Sequence, residues 1–153
     1  MPAPSVAAGR ARRAPAILPW LHDRSWSPKE SELRAYVHAA GLPKPEVNAD
    51  VLAFDGTRLG IGDLWFPRWR VVAEYEGRQH AEDPVQFRKD IERYAGFRDN
   101  DIAYVQVTAA MTANPAGAVQ RIYSALARNG YTGPPPKLAE RWGSLFRAVP
   151  GGR

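Results

Sequence analysis

The sequence predicts one mixed α/β (α+β) domain in the order helix, three-strand meander, helix, strand, helix. Three observations carry this. Two stretches read as capped helix starts, Ser27-Pro28-Lys29-Glu30 and Asp83-Pro84-Val85-Gln86. Asp55-Gly56 stands between two β-like runs and signals a hairpin. A second turn, near 67–70, leads into another apolar run at 70–76.

The first helix places Leu33, Tyr36, Val37 and Ala40 at helical spacing and stops at Gly41 and Pro43. Strands follow at 47–54, 58–66 and 70–76. A hairpin centred between Arg68 and Trp69 pairs residues whose numbers sum to 137, which sets Asp63 opposite Glu74. A slip of one residue would put them on opposite faces. The second helix should bury Phe87, Ile91, Tyr94 and Ala95, show Arg88, Lys89, Glu92 and Arg93 outward, and end near Asn100. A strand at 102–108 and a helix at 116–128 complete the core, with Val119, Ile122, Tyr123 and Leu126 inward and Gly130 as the stop. Residues 1–25 read as a flexible basic arm whose end Trp20, Leu21 and Trp26 are expected to pin to the body, 26–130 as the domain, and 131–153 as a Pro-rich linker with a short amphipathic helix. That helix carries Leu138, Trp142, Leu145 and Phe146 on one face, to cover the core or to dock a protein partner.

Composition narrows the function classes. With 153 residues there is room for one domain with a real core. The absence of cysteine excludes disulfides and thiolate metal sites and suits a reducing cytoplasm, where the protein is expected. No apolar run approaches the roughly 20 residues of a membrane span. The net charge of +5 sits in the tails, while residues 25–127 carry twelve basic and fourteen acidic side chains. Basic tails suit a phosphate backbone, though they also serve mere solubility. No P-loop, dinucleotide glycine fingerprint, G-x-S-x-G elbow or H-E-x-x-H is present.

The chemistry gathers at Asp63 and the stretch Glu74-Tyr75-Glu76-Gly77-Arg78-Gln79-His80. Glu74 and Glu76 are two apart in a strand and point the same way. With Asp63 opposite, like charges stand about 5 Å apart, which is unfavourable without a counter-ion. Mg²⁺ or Mn²⁺ is the common remedy, and it serves phosphodiester hydrolysis. Asp63 and Glu74 suit direct ligation, Tyr75 offers its backbone carbonyl, and Glu30 reaches the metal through water. Glu76 and His80 are the candidates to activate water. Arg78, Gln79, Arg88, Lys89 and Arg93 are candidate DNA contacts, because an acidic site needs nearby positive charge to admit a polyanion. The competing reading is an exposed acidic sheet face.

At these residues the chain resembles the PD-(D/E)XK nuclease superfamily, and within it the domain related to very-short-patch-repair (Vsr) endonucleases. The resemblance spans roughly residues 28–127. It rests on Glu30-Ser31, Leu33-Arg34, Gly41-Leu42-Pro43 with Pro45, Asp63-Leu64, Glu74-Tyr75-Glu76-Gly77 with His80, Asp90, Arg93 and Val107-Thr108. It implies a restriction-endonuclease-like α-β-β-β-α-β core with a mixed central sheet and a metal on Asp63 and Glu74. Glu76 stands where the superfamily usually has lysine, and His80 near the histidine of Vsr-type enzymes. The cysteines of the Vsr structural zinc are missing, so mismatch specificity does not carry over. Gln106 stands where the subgroup often has a basic residue. The expectation is a metal-dependent DNA endonuclease or nickase. The alternative is a catalytically degenerate DNA-binding or antitoxin-like accessory protein.

Overall fold

The computed structural model describes residues 28–76, 83–139 and 142–143, the side chains of Pro28, Glu76 and Thr112 excepted. The N-terminal arm, the Ser27 cap, Arg78, Gln79, His80, Leu145 and Phe146 lie outside the described residues. The element order is α1 (Pro28–Ala39), β1 (Glu46–Leu52), β2 (Arg58–Phe66), a 3-10 turn (Pro67–Trp69), β3 (Val71–Glu76), α2 (Pro84–Asp99), β4 (Ala103–Thr108), α3 (Ala109–Thr112) and α4 (Pro115–Arg128). No described helix is long and apolar enough to cross a membrane.

The four strands form one open mixed sheet in the order β1-β2-β3-β4. β1, β2 and β3 are an antiparallel meander, and α2 carries the chain over to β4, which lies parallel to β3. The first hairpin turns where predicted: Gly56 adopts a φ of +86°, and the Asp55 carboxylate accepts the Thr57 N–H at 2.8 Å. The second closes through the 3-10 turn with Arg70 in the left-handed region. Its ladder pairs Leu64 with Ala73, Trp65 with Val72 and Phe66 with Val71, the predicted register.

Strand alternation divides the interior in two. Leu64, Phe66, Val71, Ala73, Val105 and Val107 face α1 and α4, which supply Leu33, Val37, Val119, Ile122 and Leu126. Val51, Trp65 and Val72 face α2, where Phe97 and the adjoining Ile102 complete a smaller cluster. β3 is covered on both faces, so it reads as a nearly continuous apolar run. Beyond α4, the Lys137 N–H donates to the Ala40 carbonyl at 2.9 Å, and Trp142 packs on Tyr36 with ring centroids 6.1 Å apart. Trp142 therefore covers the core, the first of the two roles expected for its segment.

α2 departs from expectation. Asp83 caps it, accepting from Val85 N at 2.9 Å and Gln86 N at 3.4 Å, but the Gln86 amide donates to Asp90 at 3.0 Å and so makes no reciprocal box. The buried face is also rotated. Phe87 and Ile91 are 59% and 51% exposed, while Arg93, Tyr94 and Phe97 turn toward the sheet. The reason is electrostatic. β3 presents a buried carboxylate to this helix, and a charge buried there requires a partner more than Phe87 requires cover.

Candidate functional site

Glu74 shares a face of β3 with Val72, two residues earlier, and is only 8% exposed. Its two carboxylate oxygens accept from Arg93 Nη1 and Nη2, both at 2.8 Å, a bidentate fork. Arg93 Nη1 also donates to the Ile61 carbonyl at 3.2 Å. The Arg93 stem crosses β2 at Gly60, where an added Cβ would stand 2.8 Å from Arg93 Cδ. Gly62, two residues further on the same face, makes room for the methyls of Val51 and Val72. Gly60 and Gly62 thus have a packing role.

Asp63 is the next residue beyond the Leu64–Ala73 pair, which sets it opposite Glu74. Its Oδ2 accepts the Tyr75 N–H at 2.8 Å, so Tyr75 contributes its amide here. Burial pushes the Asp63 carboxyl up to about 6; the Tyr75 amide and Arg93 oppose this, and Glu30 adds to it. Burial also pushes Glu74 up, to about 7, against the attraction of Arg93 and a hydrogen bond from Tyr104. The fork geometry marks Glu74 as the ionised partner of Arg93, whose own proton is held more tightly in return.

These groups line a polar cavity of about 320 Å³ between the sheet and α2. Glu30 enters from α1, Lys89 and Asp90 from α2, and Tyr94 and Tyr104 form a wall with their hydroxyls 3.1 Å apart. Asn48, on β1 at a φ of +45°, reaches Glu30 at 3.5 Å. The competing reading, an exposed acidic sheet face, does not describe this cavity: Glu74 is buried and Glu30, Asp63 and Asp90 are half-buried. Four carboxyls (Glu30, Asp63, Glu74 and Asp90) meet two cations (Lys89 and Arg93) in this cavity. Among the described residues no three His, Cys, Asp or Glu side chains come close enough together to hold a metal ion. Glu76 continues the strand one register beyond Tyr75, opposite Thr108 of β4.

Sequence reasoning assigned Arg93 to an outer surface and missed its pairing. Two signals pointed inward: Arg93 lies four residues before Phe97, hence on one helix face, and Gly60-x-Gly62 in a strand marks close approach of another element. Tyr104, at the end of β4 nearest this wall, carried no such signal.

The chain is similar to two curated proteins of Mycobacterium tuberculosis, "Uncharacterized protein MT2308" of strain CDC 1551 / Oshkosh and "Uncharacterized protein Rv2248" of strain ATCC 25618 / H37Rv. Each is 31% identical over 99 residues, 62% of this chain and 36% of the relative. The chain thus spans about a third of the length of the curated relatives it matches. No family model and no solved structure matches it.

Proposed function

We propose that the protein is a divalent-metal-dependent DNA endonuclease or nickase with a restriction-endonuclease-like core. The observation that carries this reading is the Asp63–Glu74 pair at the β2–β3 hairpin, half-buried and buried respectively, inside an α-β-β-β-α-β order and facing a polar cavity. The donor chemistry suits a hard divalent cation held by two carboxyls and water, without a third described carboxyl close enough to join them. Carboxyl oxygens are its preferred ligands, and acids exceed cations in the cavity by two. Asp63 and Glu74 would hold Mg²⁺ or Mn²⁺, with Glu30 acting through water. Each Glu74 oxygen has a second lone pair beyond the one directed at Arg93. Bound there, such a metal would supply polarisation of the scissile phosphate and charge relief at the leaving oxygen.

The chain's own groups do the rest. Arg93 keeps Glu74 ionised and oriented, and the Tyr75 amide does the same for Asp63. Lys89 supplies a cation at the cavity wall for an incoming phosphate. Supercoiled and single-stranded DNA incubated with and without Mn²⁺ test the reading. Cutting or nicking is expected from wild type with metal and a loss of about 100-fold or more from Glu74→Gln. Identical absence of cleavage by both proteins on every substrate would sink it.

A second reading is favoured by the Arg93 fork itself. A guanidinium on both Glu74 oxygens already supplies a counter-charge in place of a metal. A degenerate nuclease that binds nucleic acid without cutting predicts binding that survives both EDTA and Asp63→Asn.

A further inference from the structure

A second cavity, about 450 Å³, lies between β4 and α4. Its walls include Tyr104 on β4 and Gly117, Gln120, Arg121, Ser124 and Arg128 along α4. The spacing of these α4 residues puts them on one helical stripe. Tyr104 also lines the Asp63–Glu74 cavity, so the two spaces meet at one side chain.

Their charges are opposite. The first cavity has an excess of carboxyls, whereas the second has two arginines and no acid. This is not confined to the cavity wall: residues 102–139 contain no Asp or Glu, while Arg121, Arg128 and Lys137 fall within them. Arg121 and Arg128 are exposed, and neither has an ion-pair partner among the described residues. They lie seven positions apart on α4, about 10 Å along one face. Two cations so spaced, with the Ser124 side chain between them and Gln120 beside Arg121, follow a repeating anion better than a single small one. β4 is also the end strand of the sheet, so a long ligand can run past it without crossing another strand.

We propose that the β4–α4 groove seats the phosphate backbone of a nucleic-acid strand that leaves the Asp63–Glu74 cavity past Tyr104, with Arg121 and Arg128 as its phosphate contacts. The proposal rests on the nucleic-acid reading of that cavity and extends it to a site on the far side of β4. Arg121 and Arg128 position the strand and take no part in the chemistry.

The test is binding of a fluorescein-labelled oligonucleotide, single-stranded and duplex, to the full chain in EDTA over a salt series. Arg121→Glu/Arg128→Glu should bind at least about tenfold more weakly at low salt, with a log–log salt slope shallower by about 1.5–2. Arg121→Gln/Arg128→Gln should fall between this variant and wild type, and circular dichroism should be unchanged for both because the positions are exposed. Unaltered affinity and slope would overturn the proposal, and so would a wild type that binds no oligonucleotide. Polyglutamate is the comparison probe. If it binds as tightly with the same arginine dependence, the groove belongs to an acidic protein partner and the proposal is overturned. Cleavage with Mn²⁺ is scored separately. Arginine-dependent binding without cleavage leaves the groove standing and defeats the nuclease reading; cleavage with arginine-independent binding does the reverse.

Discussion

The two faces of the sheet are held by different physics. Under α1 and α4 the packed cluster runs from Leu33 and Leu64 to Ile122 and Trp142 and is apolar and aromatic, with Arg34 of α1 also buried beside it. Under α2 a smaller cluster of Val51, Trp65, Val72, Phe97 and Ile102 passes directly into Asp63, Glu74 and Arg93. Hydrocarbon burial is non-directional, so on the first face any helix with the right period can dock. A buried charge needs a partner at hydrogen-bonding distance and angle, so on the second face one side chain decides how the helix is turned. The contrast explains why α4 presents its expected face while α2 exposes Phe87 and Ile91.

The largest test of this contrast is to remove the partner. Arg93→Met leaves Glu74 buried and alone, at an expected cost of about 3 kcal/mol in urea unfolding. Glu74→Leu added in the same chain should recover most of that loss, because no orphan charge remains. An Arg93→Met midpoint equal to wild type would break the comparison. A smaller effect, about 1–3 kcal/mol, is expected from Gly62→Ala, whose methyl runs into Val51 Cγ2 at 3.0 Å and into Val72. Gly60→Ala should cost less, since the Arg93 stem it meets is flexible, and should raise the apparent exposure of the fork in hydrogen exchange.

The pH dependence separates the faces without a packing change. The Asp63 carboxyl is raised in the folded state, from 3.8 to about 6. Between those limits the folded protein binds more protons than the unfolded chain, so this group makes stability fall as pH rises. Its contribution is greatest below about 4 and is lost as pH rises through about 6. The wild-type urea midpoint, relative to that of Asp63→Asn, should therefore decline from pH about 4 to pH about 6. A flat difference would remove burial as the cause. The smallest effect should come from Ile91→Ser, within about 0.5 kcal/mol of wild type, because the side chain is already half exposed. A loss of 2 kcal/mol or more would restore Ile91 to the core.

Much of the architecture could be read from the chain. Asp55-Gly56 located the first hairpin, and the sum rule about Arg68 and Trp69 located the second. Leu33, Val37, Val119, Ile122 and Leu126 followed from period alone, because these elements bury one hydrophobic stripe each. The candidate site was legible in half. Asp63 and Glu74 came from register, but Arg93 did not, because its apolar neighbours Phe87 and Ile91 offered a competing face and periodicity assigns no special weight to a charge.

The sequence by itself determined which residues alternate, which turn and which cap. Those preferences are local, set by backbone sterics and by the periods of strand and helix. It thereby delivered two carboxyls to adjoining positions on one face of a hairpin. Only the tertiary structure decided what meets them. The rotation of α2, the space at Gly60, the fork on Glu74 and the joining of an acidic cavity to a basic groove at Tyr104 all depend on elements distant in sequence. The physical reason is the cost of a buried charge, which is met by a partner across the fold and leaves no periodic trace in the chain.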